Sequence, residues 1–161
     1  MLVPIRRYYA TKPPFTLVAT TTGAQTVTIH RLTVNTLGCT INWGDGTIES
    51  LPLNSTTSLT HDYAGAGTYN IVMSNARRIT QLDLEDAKLG GLNTAQLRYS
   101  PLTSFFVGVI TGSTINSADM VNWRPTNWAL YSMPAGTYSI ASAHMVDWRP
   151  MFWYLYSMPA G

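Results

Sequence analysis

Apolar residues recur at alternate positions in short runs between Phe15 and Met73, and each run breaks at Gly, Asn or Asp. Period-two alternation punctuated by turn residues predicts strands over Phe15–Ala19, Val27–Leu32, Cys39–Trp43, Ile48–Leu51 and Thr68–Met73. No stretch keeps the apolar spacing of an amphipathic helix for three turns. Ahead of this region, residues 1–14 carry Pro4, Pro13 and Pro14, which forbid a helix. That leader predicts an extended arm. Its Arg6, Arg7, Tyr8 and Tyr9 are suited to docking on another surface, and a disordered tail is the competing reading.

Beyond Met73 the pattern becomes a repeat. Residues 120–136, MVNWRPTNWALYSMPAG, return as 145–161, MVDWRPMFWYLYSMPAG, with 13 of 17 positions identical. Tandem near-identity at this period predicts stacked structural units, because one such unit cannot bury its apolar side alone. Leu82, Phe105, Leu130 and Leu155 align as equivalent core positions, which gives four coils. The coil boundaries fall near 79–101, 102–126, 127–151 and 152–161. The first, ITQLDLEDAKLGGL, resembles the L-x-x-L-x-L core of leucine-rich repeats, and the resemblance implies a short strand in each coil.

Two phrases in the N-terminal half carry a second resemblance. Ile41-Asn42-Trp43-Gly44-Asp45-Gly46-Thr47, and the stretch from His61 to Met73 (HDYAGAGTYNIVM), are similar to the W-x-F-G-D-G, H-x-Y and G-x-Y-x-V motifs of PKD domains. That family is an immunoglobulin-like β-sandwich of surface and adhesive proteins. Gly44 and Gly46 would supply positive φ around Asp45. Trp43 would sit in the core, and Tyr63 and Tyr69 would bury their rings with partnered hydroxyls. The chain departs from the family in its brevity, in running Trp43 directly into Gly44, and in lacking a final strand. The fold expected is therefore all-β: a short immunoglobulin-like sandwich over 15–76, continuous with a leucine-rich-repeat-like β-solenoid over 77–161. Modules joined in this way resemble surface and virion proteins of bacteria and their phages.

Composition narrows the function. Apolar residues make up 45% of the 161 and charged residues 11%, well below the usual quarter. A net charge of +2 is too small to imply nucleic acid, and no apolar run is long enough to imply membrane insertion. The single cysteine, Cys39, reads as a buried strand thiol. The first residues interrupt any apolar leader with arginine and proline, so a cleaved export signal is not expected.

Neither catalysis nor a metal or other cofactor is expected. Asp45, Glu49 and Asp62 lack calcium-loop spacing, while His30, His61 and His144 lack metal-ligand spacing. His61 reads as a structural partner within its turn motif. No nucleophile motif accompanies Cys39, and the acids at 83–86 read as a solvated rim. Strand alternation places Phe106, Tyr131 and Tyr156 outward as an aromatic ladder, with rungs about 4.8 Å apart; opposite parity would make them core. Such a ladder suits a sugar face or a partner protein. Trp123-Arg124-Pro125 and Trp148-Arg149-Pro150 should stack coil on coil, the tryptophans wedging the turns.

The last copy gains Met151, Phe152, Trp153 and Tyr154, an apolar stretch where a solenoid end needs a polar cap. A second copy of the chain, or another virion protein, is the expected cover, and a longer natural chain continuing past Gly161 is the competing reading. These features together predict a non-enzymatic structural and binding subunit of a phage virion, displayed on the virion surface as fibre, tail or capsid protein, with a host-surface glycan as its ligand. The alternative is a secreted or cell-surface bacterial adhesin or filament subunit.

Overall fold

The computed structural model describes residues 14–55, 58–132, 136–141 and 144, together with the backbone of 152–155. It is all-β: strands joined by loops and short 3-10 turns, with no α-helix among the described residues. The N-terminal half contributes β1 (Phe15–Thr21), β2 (Gln25–Ile29), β3 (Arg31–Val34), β4 (Thr40–Asn42), β5 (Ile48–Ser50), β6 (Leu59–Tyr63) and β7 (Gly67–Met73). β1 and β7 pair antiparallel along their whole length, from Phe15 opposite Met73 to Thr21 opposite Gly67. Phe15, Leu17 and Ala19 point into the core as their alternation predicts.

The expected strand over Val27–Leu32 is two strands. The chain bends at His30, so that β2 pairs with β6 and β3 joins a different sheet. The cause is a slip of phase: the apolar residues are Val27 and Ile29, then Leu32 and Val34, and all four are buried. A straight strand would turn one pair to solvent. β6 is not among the expected strands, since His61 occupies what would be its middle apolar position.

The C-terminal half contributes β8 (Ile79–Leu84), β9 (Leu89–Gly90), β10 (Ser104–Gly108), β11 (Thr114–Asn116), β12 (Asn127–Tyr131), β13 (Thr137–Ser139) and β14 (Phe152–Leu155). β8, β10, β12 and β14 are parallel neighbours. Leu82, Phe105, Trp128 and Trp153 are in register. The expected partner of Phe105 was Leu130; the observed one is Trp128, and Leu130 lies beside Val107. The step from β10 to β12 thus matches the one from β8 to β10, and only the step from β12 to β14 has the full length of the duplication. Its extra residues enter between Ser139, which still pairs with Asn116, and the turn at Ala141.

Threonines bind successive turns of the chain at one edge of this stack. The Thr80 hydroxyl donates to the Thr33 carbonyl at 3.3 Å, Thr103 to Thr80 at 3.1 Å, and Thr126 to Thr103 at 3.1 Å. Inside, Leu82, Leu84, Phe105, Val107, Trp123, Trp128 and Leu130 form the core. Trp123 packs on Phe105 with 4.7 Å between ring centroids, and its Nε1 donates to the Leu97 carbonyl. The expected wedge thus reaches the core, while the Arg124 guanidinium donates to the carbonyl oxygen of Trp123.

The two halves share sheets. β3 closes one end of the parallel stack, giving the order β14-β12-β10-β8-β3, and β9 extends the N-terminal sheet as β5-β4-β7-β1-β9. One apolar cluster runs through both halves, from Phe15 to Leu130.

Candidate functional site

The outer face of the sheet containing β8, β10 and β12 is the strongest candidate surface. Strand alternation sends Phe105 and Val107 inward and leaves Phe106 half-buried on the other side; Tyr131 is half-buried on that same side. The outward parity expected for these two rings is observed, but the single row is not. Phe106 is flanked by Asp83 and Ala129, whereas Tyr131 lies beside Gly108. The aromatic positions are therefore staggered along the strands, a direct result of the shorter step between β10 and β12. The tyrosine ring lies over Gly108, where an added Cβ would come within 2.7 Å of its Cε2.

Tyr156 and Met151 lie outside the described residues, as do Arg6, Arg7, Tyr8 and Tyr9 of the expected arm and the second Trp148-Arg149-Pro150 phrase. For Phe152, Trp153 and Tyr154 the backbone places them on β14, alongside Asn127, Trp128 and Ala129.

Acids border the aromatic positions, and they are not the simple solvated rim expected. Asp83 stands between Arg31 of β3 and Phe106 of β10. Its Oδ1 and the Nε of Arg31 are both buried without a hydrogen-bond partner. Burial raises the Asp83 carboxyl above its ordinary range. Glu85 is exposed beside it and is raised as well, by partial desolvation and then by the charge of Asp83. Asp86 is a turn acid, accepting from the backbone N–H of Lys88 and Thr28.

A second cluster surrounds the Trp43–Asp45 turn. Trp43 stacks on His61 at 4.9 Å, His61 meets Tyr63 edge-on at 4.6 Å, and Tyr63 stacks on Tyr69 at 4.1 Å. The buried Tyr63 hydroxyl donates to the Trp43 carbonyl at 2.6 Å, and burial raises its pKa. His61 Nε2 lies 2.7 Å from Asp45 Oδ2. The three acids weighed for calcium have separate partners: Asp45 has His61 and the Thr47 N–H, Glu49 accepts from Trp43 Nε1, and Asp62 accepts from the Thr26 hydroxyl. Among the described residues no three His, Cys, Asp or Glu side chains come together, and Cys39 is buried just before β4.

The Thr47 N–H, and next to it His61, hold the Asp45 carboxyl down at about 2. A carboxyl whose folded pKa is depressed stabilises the fold above its unfolded value near 3.8 and loses that contribution as pH falls toward 2. The melting temperature of the wild type should therefore drop between pH 4 and pH 2 more steeply than that of Asp45→Asn. Parallel curves for the two proteins would remove Asp45 from the acid response. Asp83 and Glu85 contribute in the opposite sense, their stabilisation being present at low pH and lost as pH rises through their raised values. The difference between wild type and variant isolates Asp45.

Ser117 and His144 form a pair that sequence alone did not single out. Ser117 Oγ lies 2.9 Å from His144 Nδ1, a distance compatible with nucleophile and base. The hydroxyl, however, is buried and already accepts the Ala141 N–H at 2.8 Å. One turn earlier, Thr94 accepts the Asn116 N–H at 2.9 Å and contacts Asp119 Oδ2 at 3.1 Å. The same arrangement with an aspartate in place of histidine identifies a repeated rung between turns of the chain. The readable signal was the recurrence of Asn93-Thr94-Ala95 and Asn116-Ser117-Ala118 as Ala141-Ser142-Ala143.

No protein-family model, curated protein or solved structure matches the chain. Among the described residues no helix is long and apolar enough to cross a membrane.

Proposed function

We propose that this chain is a non-enzymatic structural and binding subunit of a phage virion, a fibre, tail or capsid-surface protein, acting through assembly and through attachment to a surface glycan. In this reading the N-terminal half is a PKD-like, immunoglobulin-like sandwich, and the C-terminal half is a leucine-rich-repeat-like solenoid of about four coils. One observation carries it: strands of both halves join in a single sheet, β14-β12-β10-β8-β3, whose outer face bears Phe106 and Tyr131 with the Asp83 carboxyl beside Phe106. A stiff body with a broad sheet face suits display on a particle. Aromatic rings next to carboxyls suit the apolar faces and hydroxyls of a sugar.

Assembly follows from the same sheet. Among the described residues β14 is the last strand of its sheet, pairing with β12, and a terminal strand is the element that can take a further strand from a partner. A second copy of the chain, or another virion protein, takes that edge. Sedimentation should show self-association at micromolar concentration, and a stable monomer would count against the copy.

The binding half is tested on a glycan array with the double variant Phe106→Ala, Tyr131→Ala. Stacking on aromatic rings predicts at least a tenfold loss with the protein still folded, at a somewhat lower melting temperature because both rings are half-buried. Unchanged glycan binding, or unfolding in place of weakened binding, would show the rings to be structural.

A further inference from the structure

The turns that lead into the parallel strands carry a run of charge that core packing does not require. Arg77 and Arg78 precede β8, Arg98 and Tyr99 lie ahead of β10, and Arg124 lies ahead of β12, all of them exposed. Hydrogen bonds lay these turns one on the next. The Ser100 hydroxyl donates to the Ala76 carbonyl, and Trp123 Nε1 donates to the Leu97 carbonyl. Arg78 stands two residues ahead of Thr80, and Arg124 two ahead of Thr126, in the stacked series Thr80, Thr103, Thr126. These two arginines therefore occupy equivalent places two strands apart, a separation of about 10 Å.

Little at this edge offsets the charge. Arg77 and Arg78 form no ion pair among the described residues. Arg77 lies over the Tyr99 ring at 4.9 Å, a contact that leaves its charge in place. The backbone carbonyls of Val121 and Trp123 hold one nitrogen of Arg124 without cancelling its charge. Among the described acids, Asp119 is the one at this edge, 3.8 Å from Arg98. Asp83, Glu85 and Asp86 lie at the opposite end of β8, about 20 Å along the strand. That is well beyond the roughly 8 Å over which charges act in physiological salt. Four arginines and one aspartate leave +3 on this edge, more than the +2 of the whole chain. Like charges on neighbouring strands cost stability, so an anion that neutralises them is favoured.

We propose that this edge binds an acidic polysaccharide laid across the turns, its acid groups on Arg78 and Arg124 and a sugar ring against Tyr99, which is 50% exposed. A guanidinium pairs with a carboxylate through two parallel N–H donors, and an aromatic ring takes the apolar face of a sugar. Spacing favours a polysaccharide over nucleic acid. Duplex DNA carries one charge per about 3.4 Å of each strand, far denser than arginines about 10 Å apart. A polymer with an acid on every second sugar has the sparser pattern. None of these residues lies on the outer face bearing Phe106 and Tyr131, so the edge stands or falls separately from the proposed function.

The full chain is titrated with three fluorescein-labelled probes: a hyaluronate hexasaccharide (alternating glucuronate and N-acetylglucosamine), the uncharged N-acetylglucosamine hexamer, and an oligothymidylate of the same length. Fluorescence anisotropy should show saturable binding of the acidic hexasaccharide, weakening as salt rises from about 50 to about 200 mM. The uncharged hexamer should bind at least tenfold more weakly, and the oligothymidylate more weakly too. Arg78→Gln should weaken the acidic hexasaccharide about tenfold, the loss of one charge-assisted contact. Its melting temperature should be unchanged or raised, because a repulsion is relieved. Adding Arg124→Gln should weaken binding about tenfold again. Lys88→Gln, which removes a charge beyond the opposite end of β8, should change nothing. If the double arginine variant does not fold, Arg78→Gln against Lys88→Gln decides. The variant Phe106→Ala, Tyr131→Ala should bind the acidic hexasaccharide as the wild type does, and a loss there would move the polysaccharide to the outer face and overturn the proposal. Tighter binding of the oligothymidylate would make the edge a nucleic-acid surface instead. Equal binding of the uncharged hexamer, equal losses for Arg78→Gln and Lys88→Gln, or no saturable binding by any probe would each overturn the proposal as well.

Discussion

Trp123→Ala is expected to lower the unfolding free energy by about 4 kcal/mol, the middle of the range for truncating a buried aromatic. Trp123 is fully buried, packs on Phe105 and donates through Nε1 to the Leu97 carbonyl. Its loss opens a cavity between the turn before β12 and the strand β10. Nearest-neighbour contacts carry most of the stability of stacked repeats, so a void there weakens the attachment of everything beyond it. Trp123→Phe keeps most of the ring and deletes the N–H donor, for which about 1 kcal/mol is expected. Urea unfolding followed by circular dichroism measures both. A loss of less than about 1 kcal/mol for the alanine variant, no more than one hydrogen bond contributes, would mean that the tryptophan does not hold the stack together.

Much of this architecture is legible because it depends on period. Alternation locates β1, β4, β5 and β7, and duplication locates parallel strands at β10, β12 and β14. What the repeat cannot supply is register. Alignment by letter pairs Phe105 with Leu130, because it carries the spacing of the last two copies back to an earlier one. Hydrogen bonding pairs Phe105 with Trp128 instead, because the additional residues sit in only one connection. The slip from Leu130 to Trp128 preserves parity, which is why Phe106 and Tyr131 both face outward although they do not share a row. The phase slip between Ile29 and Leu32 is readable and marks the crossing from one sheet to the next.

The candidate sites are harder to see, for a physical reason. Asp83 meets Arg31 only because β3 closes the parallel stack, and no spacing rule joins an N-terminal strand to a distant repeat. The Trp43–Asp45 turn is legible down to its glycines, since positive φ and small polar residues are local properties. Gly44 has φ +88 and Gly46 φ +102.

Those two glycines provide the second large effect, because they differ in one respect. At Gly46 an added Cβ meets no atom within 4 Å. Gly46→Ala should therefore cost only the conformational penalty of an L-residue at positive φ, about 1–2 kcal/mol. At Gly44 the same Cβ would lie 2.6 Å from the Asn70 carbonyl oxygen and 2.9 Å from the Asn70 nitrogen. Both are backbone atoms of β7, which pairs with β1 along its whole length and cannot move aside as a side chain can. Overpacking adds about 1–3 kcal/mol, so Gly44→Ala should lose about 3–4 kcal/mol, roughly twice the loss at Gly46. Its effect should also reach Asp45, since displacing the turn separates the carboxylate from His61 and the Thr47 N–H and flattens the acid response between pH 4 and pH 2. Equal losses for the two variants in urea would show that the turn does not press against β7. The close approach of Trp43-Gly44 to β7 would then not be what holds the aromatic column of Trp43, His61, Tyr63 and Tyr69 in place.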